Sequence, residues 1–172
     1  MSLFPEREQL EIPEAEGSDP KEVFAFFGLC SYCAQVLEQG LINLAVALHV
    51  RGLTKLTGND FDLLFDELGK KTLGQLIKDV GRLVKVSDKL ESSIAEALRD
   101  RNYLVHKFYV THGRQNMIEE LRQIATRTRS VDHEVELITH PLWERLGLTR
   151  EIIEAGLERM NTEATKLDEI QL

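Results

Sequence analysis

The chain has 172 residues, 42% of them hydrophobic and 29% charged, and a formal net charge of −8. That length suits one domain with a substantial core, and its two cysteines, Cys30 and Cys33, are too few for a disulfide framework. The acidity belongs to the ends: residues 1–20 sum to −5 and residues 162–172 to −2, leaving 21–161 at −1, which argues against tight non-specific duplex binding through a broad basic face.

The opening segment MSLFPEREQLEIPEAEG lacks the basic start and apolar stretch of a secretory signal. The apolar runs read as too short to span a membrane, so the expected setting is a reducing cytoplasm with no membrane association. Pro5, Pro13 and Pro20 fall in the first twenty residues, and residues 1–18 read as an acidic, disordered arm. The next proline is Pro141, as expected if most of the intervening chain is helix.

A first helix is expected to start at Asp19-Pro20-Lys21-Glu22, with Asp19 capping, Pro20 in the first turn and Glu22 bonding back to the cap. It runs to about Val50 and carries Phe24, Phe27, Cys30, Ala34, Leu37, Leu41, Leu44, Ala45 and Leu48, with Gly40 marking close helix packing or a slight break. Residues 51–59 read as a loop, with Asn59 capping a short helix over 60–68. Another helix over 72–84 places Leu73, Leu76, Ile77 and Val80 on one side, and Ser87-Asp88 opens a longer one reaching His112. Gly113 breaks the chain. The next helix, about 25 residues long, carries Met117, Leu121, Ile124, Thr128, Val131, Val135 and Ile138 at alternating steps of four and three. Such a seam is intrachain core more often than a coiled-coil face. His140-Pro141 is expected to end it, Trp143 to anchor the last helix by packing, and Thr149 to cap that helix, which runs through Asn161. No strand and no repeat is evident, so the fold class is all-α.

Chemistry concentrates near residue 101. On a helix turning about 100° per residue, Leu90, Ile94, Ala97, Leu98, Val105 and Phe108 form an apolar stripe with Arg101 in its middle. Asn102, His106 and Tyr109 succeed one another at spacings of four and three on a neighbouring face. A guanidinium in an apolar seam requires an anion or dense hydrogen bonding. An imidazole can take a proton from a ribose 2′-hydroxyl or give one to a leaving 5′-oxygen, and an arginine can hold the phosphate between them. Asn102 can orient either group, and no metal or cofactor is needed. The structural alternatives are an ion pair from Arg101 to Glu22, Asp62 or Asp66, and a surface histidine at 106. Arg101 and His106 point about 140° apart on a regular helix, so one copy converges on a phosphate only if the helix breaks near Asp100.

The run Arg101-Asn102-Tyr103-Leu104-Val105-His106, an Arg-x4-His spacing with Asn after the Arg, resembles the signature of the HEPN superfamily. The segment Lys71-Thr72-Leu73-Gly74-Gln75-Leu76-Ile77 is also similar to stretches of bacterial HEPN-like proteins, and the likeness covers about residues 20–112. The resemblance implies a bundle of four or five helices over 19–112, with the helices of 113–172 as additions packed on it or in a dimer interface. It implies a metal-independent endoribonuclease, a toxin or phage-defence effector, whose homodimer joins two motifs in one site. Arg101, Asn102 and His106 would be catalytic and Tyr109 supporting, with Lys107, Arg114 and Arg122 touching RNA phosphate. An antitoxin or other protein partner would fit the same picture. The alternative is a non-catalytic helical dimer of this type that binds RNA, a nucleotide or a protein. In HEPN toxins paired with a nucleotidyltransferase antitoxin, the second residue after the His is a modified Tyr; here it is Phe108, so that regulation does not carry over.

Three further groupings have plainer readings. Cys30-Ser31-Tyr32-Cys33 lies inside a predicted helix, where cysteine packs as a small hydrophobe. His133 and His140 are two helical turns apart, too far to share one metal without other ligands. Arg114, Arg122, Arg127 and Arg129 form a basic stretch that is either a solvated face balanced by Glu119 and Glu120 or a phosphate track.

Overall fold

The computed structural model describes residues 12–13, 19–51, 53, 57–111 and 117–147, and these are all-α, with no strand among them. The elements are α1 (Pro20–Val50), α2 (Gly58–Gly69), α3 (Leu73–Leu83), α4 (Asp88–His106), α5 (Phe108–Thr111) and α6 (Met117–Arg145). The acidic arm apart from residues 12–13, the expected break at Gly113 and the expected helix after Thr149 lie outside the described residues.

Helix α1 is the axis of the fold. Asp19 caps it by accepting from the Lys21 amide at 2.9 Å, with Pro20 in the first turn. The expected return bond from Glu22 does not form, and its Oε2 is buried without a hydrogen-bond partner. Helix α1 packs against α2, α3, α4 and α6, so it is apolar around most of its surface, as a core helix must be. For this reason it contains an 18-residue window of mean hydropathy 1.3, long and apolar enough to cross a membrane by length and composition, contrary to the sequence expectation. In the fold 56% of that window is buried.

The α6 seam is intrachain core. Met117, Leu121, Ile124, Thr128, Val131 and Val135 are all buried, and Ile138 packs at the edge. It runs parallel to α1: the Cys30 thiol donates to the Leu121 carbonyl at 2.9 Å, and Gly40 faces Asp132 and Val135 further along. A Cβ on residue 40 would lie 2.9 Å from Asp132 Oδ1, so this glycine lets the two helices come close here.

Three boundaries differ from expectation. Thr57, not Asn59, caps α2, in a reciprocal box with Asp60: the Asp60 amide donates to Thr57 Oγ1 at 3.3 Å and the Thr57 amide to Asp60 Oδ2 at 2.8 Å. Helix α4 ends at His106 rather than His112. Helix α6 passes through Pro141 to Arg145. Pro141 is exposed, and the carbonyl it leaves without a ladder donor belongs to Leu137, which is exposed as well. Trp143 then anchors the end of α6 against α2, its ring 6.2 Å from that of Phe61.

Candidate functional site

Helix α4 carries the motif. Ser87 caps it by accepting from the Leu90 amide at 3.2 Å, and Asp88 and Glu91 complement the dipole at its start. Its buried line is Leu90, Ile94, Ala97 and Leu104, continued by Phe108 beyond the helix end. Arg101 falls in that line, between Ala97 and Leu104, and is half-buried. Val105, expected in the stripe, is 59% exposed, and Leu104 takes its place inside. The signal was available: 97, 101, 104 and 108 continue the steps of four and three, and 105 does not.

Helix α4 is clamped to α6. Arg127 donates from Nε and Nη2 to Asp100 Oδ2 at 3.1 and 2.9 Å, and its Nε lies 3.7 Å from Glu96. Burial raises the Asp100 carboxyl above the usual carboxylate value, and the adjacent Arg127 only partly offsets this. Sequence reasoning missed this pair, and it removes Arg127 from the possible phosphate track. Lys89 with Glu134 at 4.0 Å and Asp100 with Arg127 set α4 antiparallel to α6. Arg122 therefore lies at the height of the motif, half-buried, with Nη1 3.9 Å from Glu119. Arg114 lies outside the described residues.

Arg101 does not find the expected carboxylate. Its Nη1 donates to Asn102 Oδ1 at 3.3 Å, its one hydrogen bond among the described residues. Neither Glu22 nor Asp62 pairs with it, and Asp66 is held by Lys70 at 2.6 Å. Asn102 is exposed one turn before His106, which is also exposed and makes no hydrogen bond or ion pair among the described residues. Since α4 stays helical from Asp88 to His106, no break at Asp100 swings the arginine toward the histidine. Their directions stay about 140° apart, and one chain does not bring them together.

The break falls just after the motif. Lys107 leaves helical geometry at φ −132° and ψ −22°, with its amide still bonded to the Tyr103 carbonyl at 2.8 Å. Lys107 is exposed at this corner. Phe108 then turns fully inward, its ring 5.8 Å from Phe27 and 6.0 Å from Tyr103. A tyrosine hydroxyl at this position would point into the core. Tyr109 leaves the face it was expected to share with Asn102 and His106, because the helix does not continue. Its ring lies instead 5.1 Å from Phe27 and 6.2 Å from Phe24. Phe24, Val105, Tyr109 and Val110 are exposed, Val110 at 86%.

The other candidate groups have structural positions. Cys30 and Cys33 are free and buried on α1. Burial pushes the Cys30 thiol up to about 12 and raises Cys33 too, so both stay protonated core groups at neutral pH. His133 is exposed, and His140 Nδ1 lies 3.7 Å from Glu144. A scan of protein-family models and searches of curated proteins and of solved structures return no match to this chain.

Proposed function

We propose that the chain is a metal-independent endoribonuclease of HEPN type that works as a cytoplasmic homodimer. The observation that carries this reading is the state of the motif: among the described residues His106 is exposed with no hydrogen bond or ion pair, and Arg101 bonds to the exposed Asn102 and to no carboxylate. Arg101 is half-buried in an apolar line and holds no acid among the described residues, which leaves its guanidinium open to an outside anion. In the proposed reaction His106 takes the 2′-hydroxyl proton, the 2′-oxygen attacks phosphorus as the P–O5′ bond breaks, and the 5′-oxygen leaves with a proton from water, whose hydroxide then takes the proton from His106. The products are a 2′,3′-cyclic phosphate and a 5′-hydroxyl. Arg101 holds the phosphate oxygens as charge grows on them, and Asn102 keeps the guanidinium aimed. The divergence of Arg101 and His106 within one chain supports a second copy as the source of the missing partner. The exposed Val105, Tyr109 and Val110 offer that copy an apolar seat.

The same divergence is what favours the second reading, a non-catalytic helical dimer in which the two residues never meet. Incubation with mixed-sequence RNA in EDTA separates the two. Wild type is expected to yield cyclic-phosphate ends, and His106→Ala to lose about 10²- to 10⁴-fold in rate while remaining folded. Uncut RNA with wild type, or equal cutting by the variant, removes the ribonuclease reading.

A further inference from the structure

The motif is not the most basic part of the chain. Residues 70–85 hold Lys70, Lys71, Lys78, Arg82 and Lys85 against the single acid Asp79, a net +4 inside a protein of −8. Helix α3 sorts these charges by face. Leu73, Leu76 and Val80 are buried in the core, and Gly74 lets Leu98 of α4 come close. Gln75, Lys78 and Arg82 follow one another at steps of three and four along the opposite side, with Lys71 just before the helix and Lys85 just after it. Lys71, Gln75, Lys78, Asp79 and Arg82 line a shallow depression of about 300 Å³.

The cations are not all used internally. Lys71 holds Asp79 at 2.7 Å, and Arg82 reaches the same carboxylate only at 3.4 Å with its side chain 78% exposed. Lys78 and Lys85 are exposed and form no ion pair among the described residues. Gln75 is exposed and spends its carbonyl on the Thr72 amide at 2.8 Å. Lys78 and Arg82, about 6 Å apart along the helix axis, with Lys71 before them and Lys85 after, suit a line of negative charges rather than one small anion.

We propose that the outer face of α3 binds the phosphate backbone of single-stranded RNA. The choice of RNA among polyanions rests on the ribonuclease reading; the surface itself does not. Each phosphate neutralised on a single strand adds about 0.7 to the magnitude of the slope of log affinity against log salt. Binding is read by fluorescence anisotropy with a labelled 2′-O-methyl RNA, which keeps the backbone charge and lacks the attacking hydroxyl. The test variant is Lys78→Gln with Arg82→Gln and Lys85→Gln; the charge-matched control is Lys21→Gln with Lys89→Gln and Arg145→Gln, all exposed positions elsewhere. The test variant should lower the slope by about 2 and the control should leave it unchanged. An unmoved slope in the test variant, an equal loss in the control, or no binding by wild type at low salt overturns the proposal. Parallel assays on unmodified RNA keep the two readings apart. Binding through α3 without cleavage supports this surface and sinks the ribonuclease, whereas cleavage with an unmoved slope does the reverse.

Discussion

The corner after His106 rests on Phe108, and Phe108→Ala measures how firmly. The ring is fully buried and lies near three aromatic rings, those of Phe27, Tyr103 and Tyr109 at 5.8, 6.0 and 5.2 Å. Truncating a buried Phe costs about 3–5 kcal/mol, and favourable ring pairs add about 0.5–1.5 kcal/mol beyond area. Tyr109 is half exposed and α5 is only four residues long, so the site can partly collapse and the lower end of that range applies. The expected loss is about 3 kcal/mol, read as a shift in the urea midpoint by circular dichroism at unchanged slope. Phe108→Leu should lose about 1 kcal/mol, because most of the volume stays. A loss below about 1 kcal/mol for the alanine variant would show that this corner is not packed as described, and the placement of His106 beside it would fall with it.

The contacts around the motif and the core set four other outcomes. His106→Ala should change unfolding free energy by less than about 0.5 kcal/mol in a melt, since the side chain is exposed and makes no bond among the described residues; a larger loss would mean that it is structural. Gly40→Val should destabilise by about 1–3 kcal/mol in urea, because its Cβ meets Asp132 at 2.9 Å; a neutral result would show α1 and α6 less closely packed. Native protein at pH 8 should react with a thiol reagent far more slowly than urea-unfolded protein, because both thiols are pushed up by burial; equal rates would contradict the buried pair. The folded-state pKa of Asp100 is raised, so the folded protein holds that proton to higher pH than the unfolded chain, and this contribution to stability is lost as pH rises from the ordinary carboxylate range through the raised value. Asp100→Asn should remove that part of the decline in parallel melts across acid pH, and identical pH profiles for the two proteins would refute it.

Much of the fold was legible because its signals are local. Asp19-Pro20 and Thr72 stand where α1 and α3 begin, and the steps of α6 from Met117 to Val135 map onto buried positions one by one. The misreadings share a cause: a competing local cue or a tertiary contact. Asn59 is a good cap in isolation, but Thr57 has Asp60 three residues on, and the reciprocal bond decides between them. Pro141 reads as a stop, yet on an exposed face it costs a ladder bond whose acceptor water can satisfy. No glycine or proline marks the break at Lys107; burial of Phe108 against α1 makes it, and periodicity within one helix carries no trace of that. At the site, the residues of the motif were legible but their company was not. The acid beside Arg101 is its neighbour Asp100, which belongs to Arg127, and this leaves Arg101 with Asn102. The basic face of α3 was hidden by summing charge over 21–161, where acids on other helices cancel it.

The central proposal is that Arg101 of one copy and His106 of another complete a single site, and mixing two inactive variants tests it. Arg101→Gln and His106→Ala are each purified, confirmed folded and inactive, then combined at equal concentration and allowed to exchange subunits. A heterodimer then holds one site with both residues intact and one with neither. With random pairing, half the dimers are mixed and carry one working site of two, so cleavage should return to about a quarter of the wild-type rate. If the mixture stays as inactive as its components after exchange is verified by mass, the two residues do not act across a dimer and the account is contradicted.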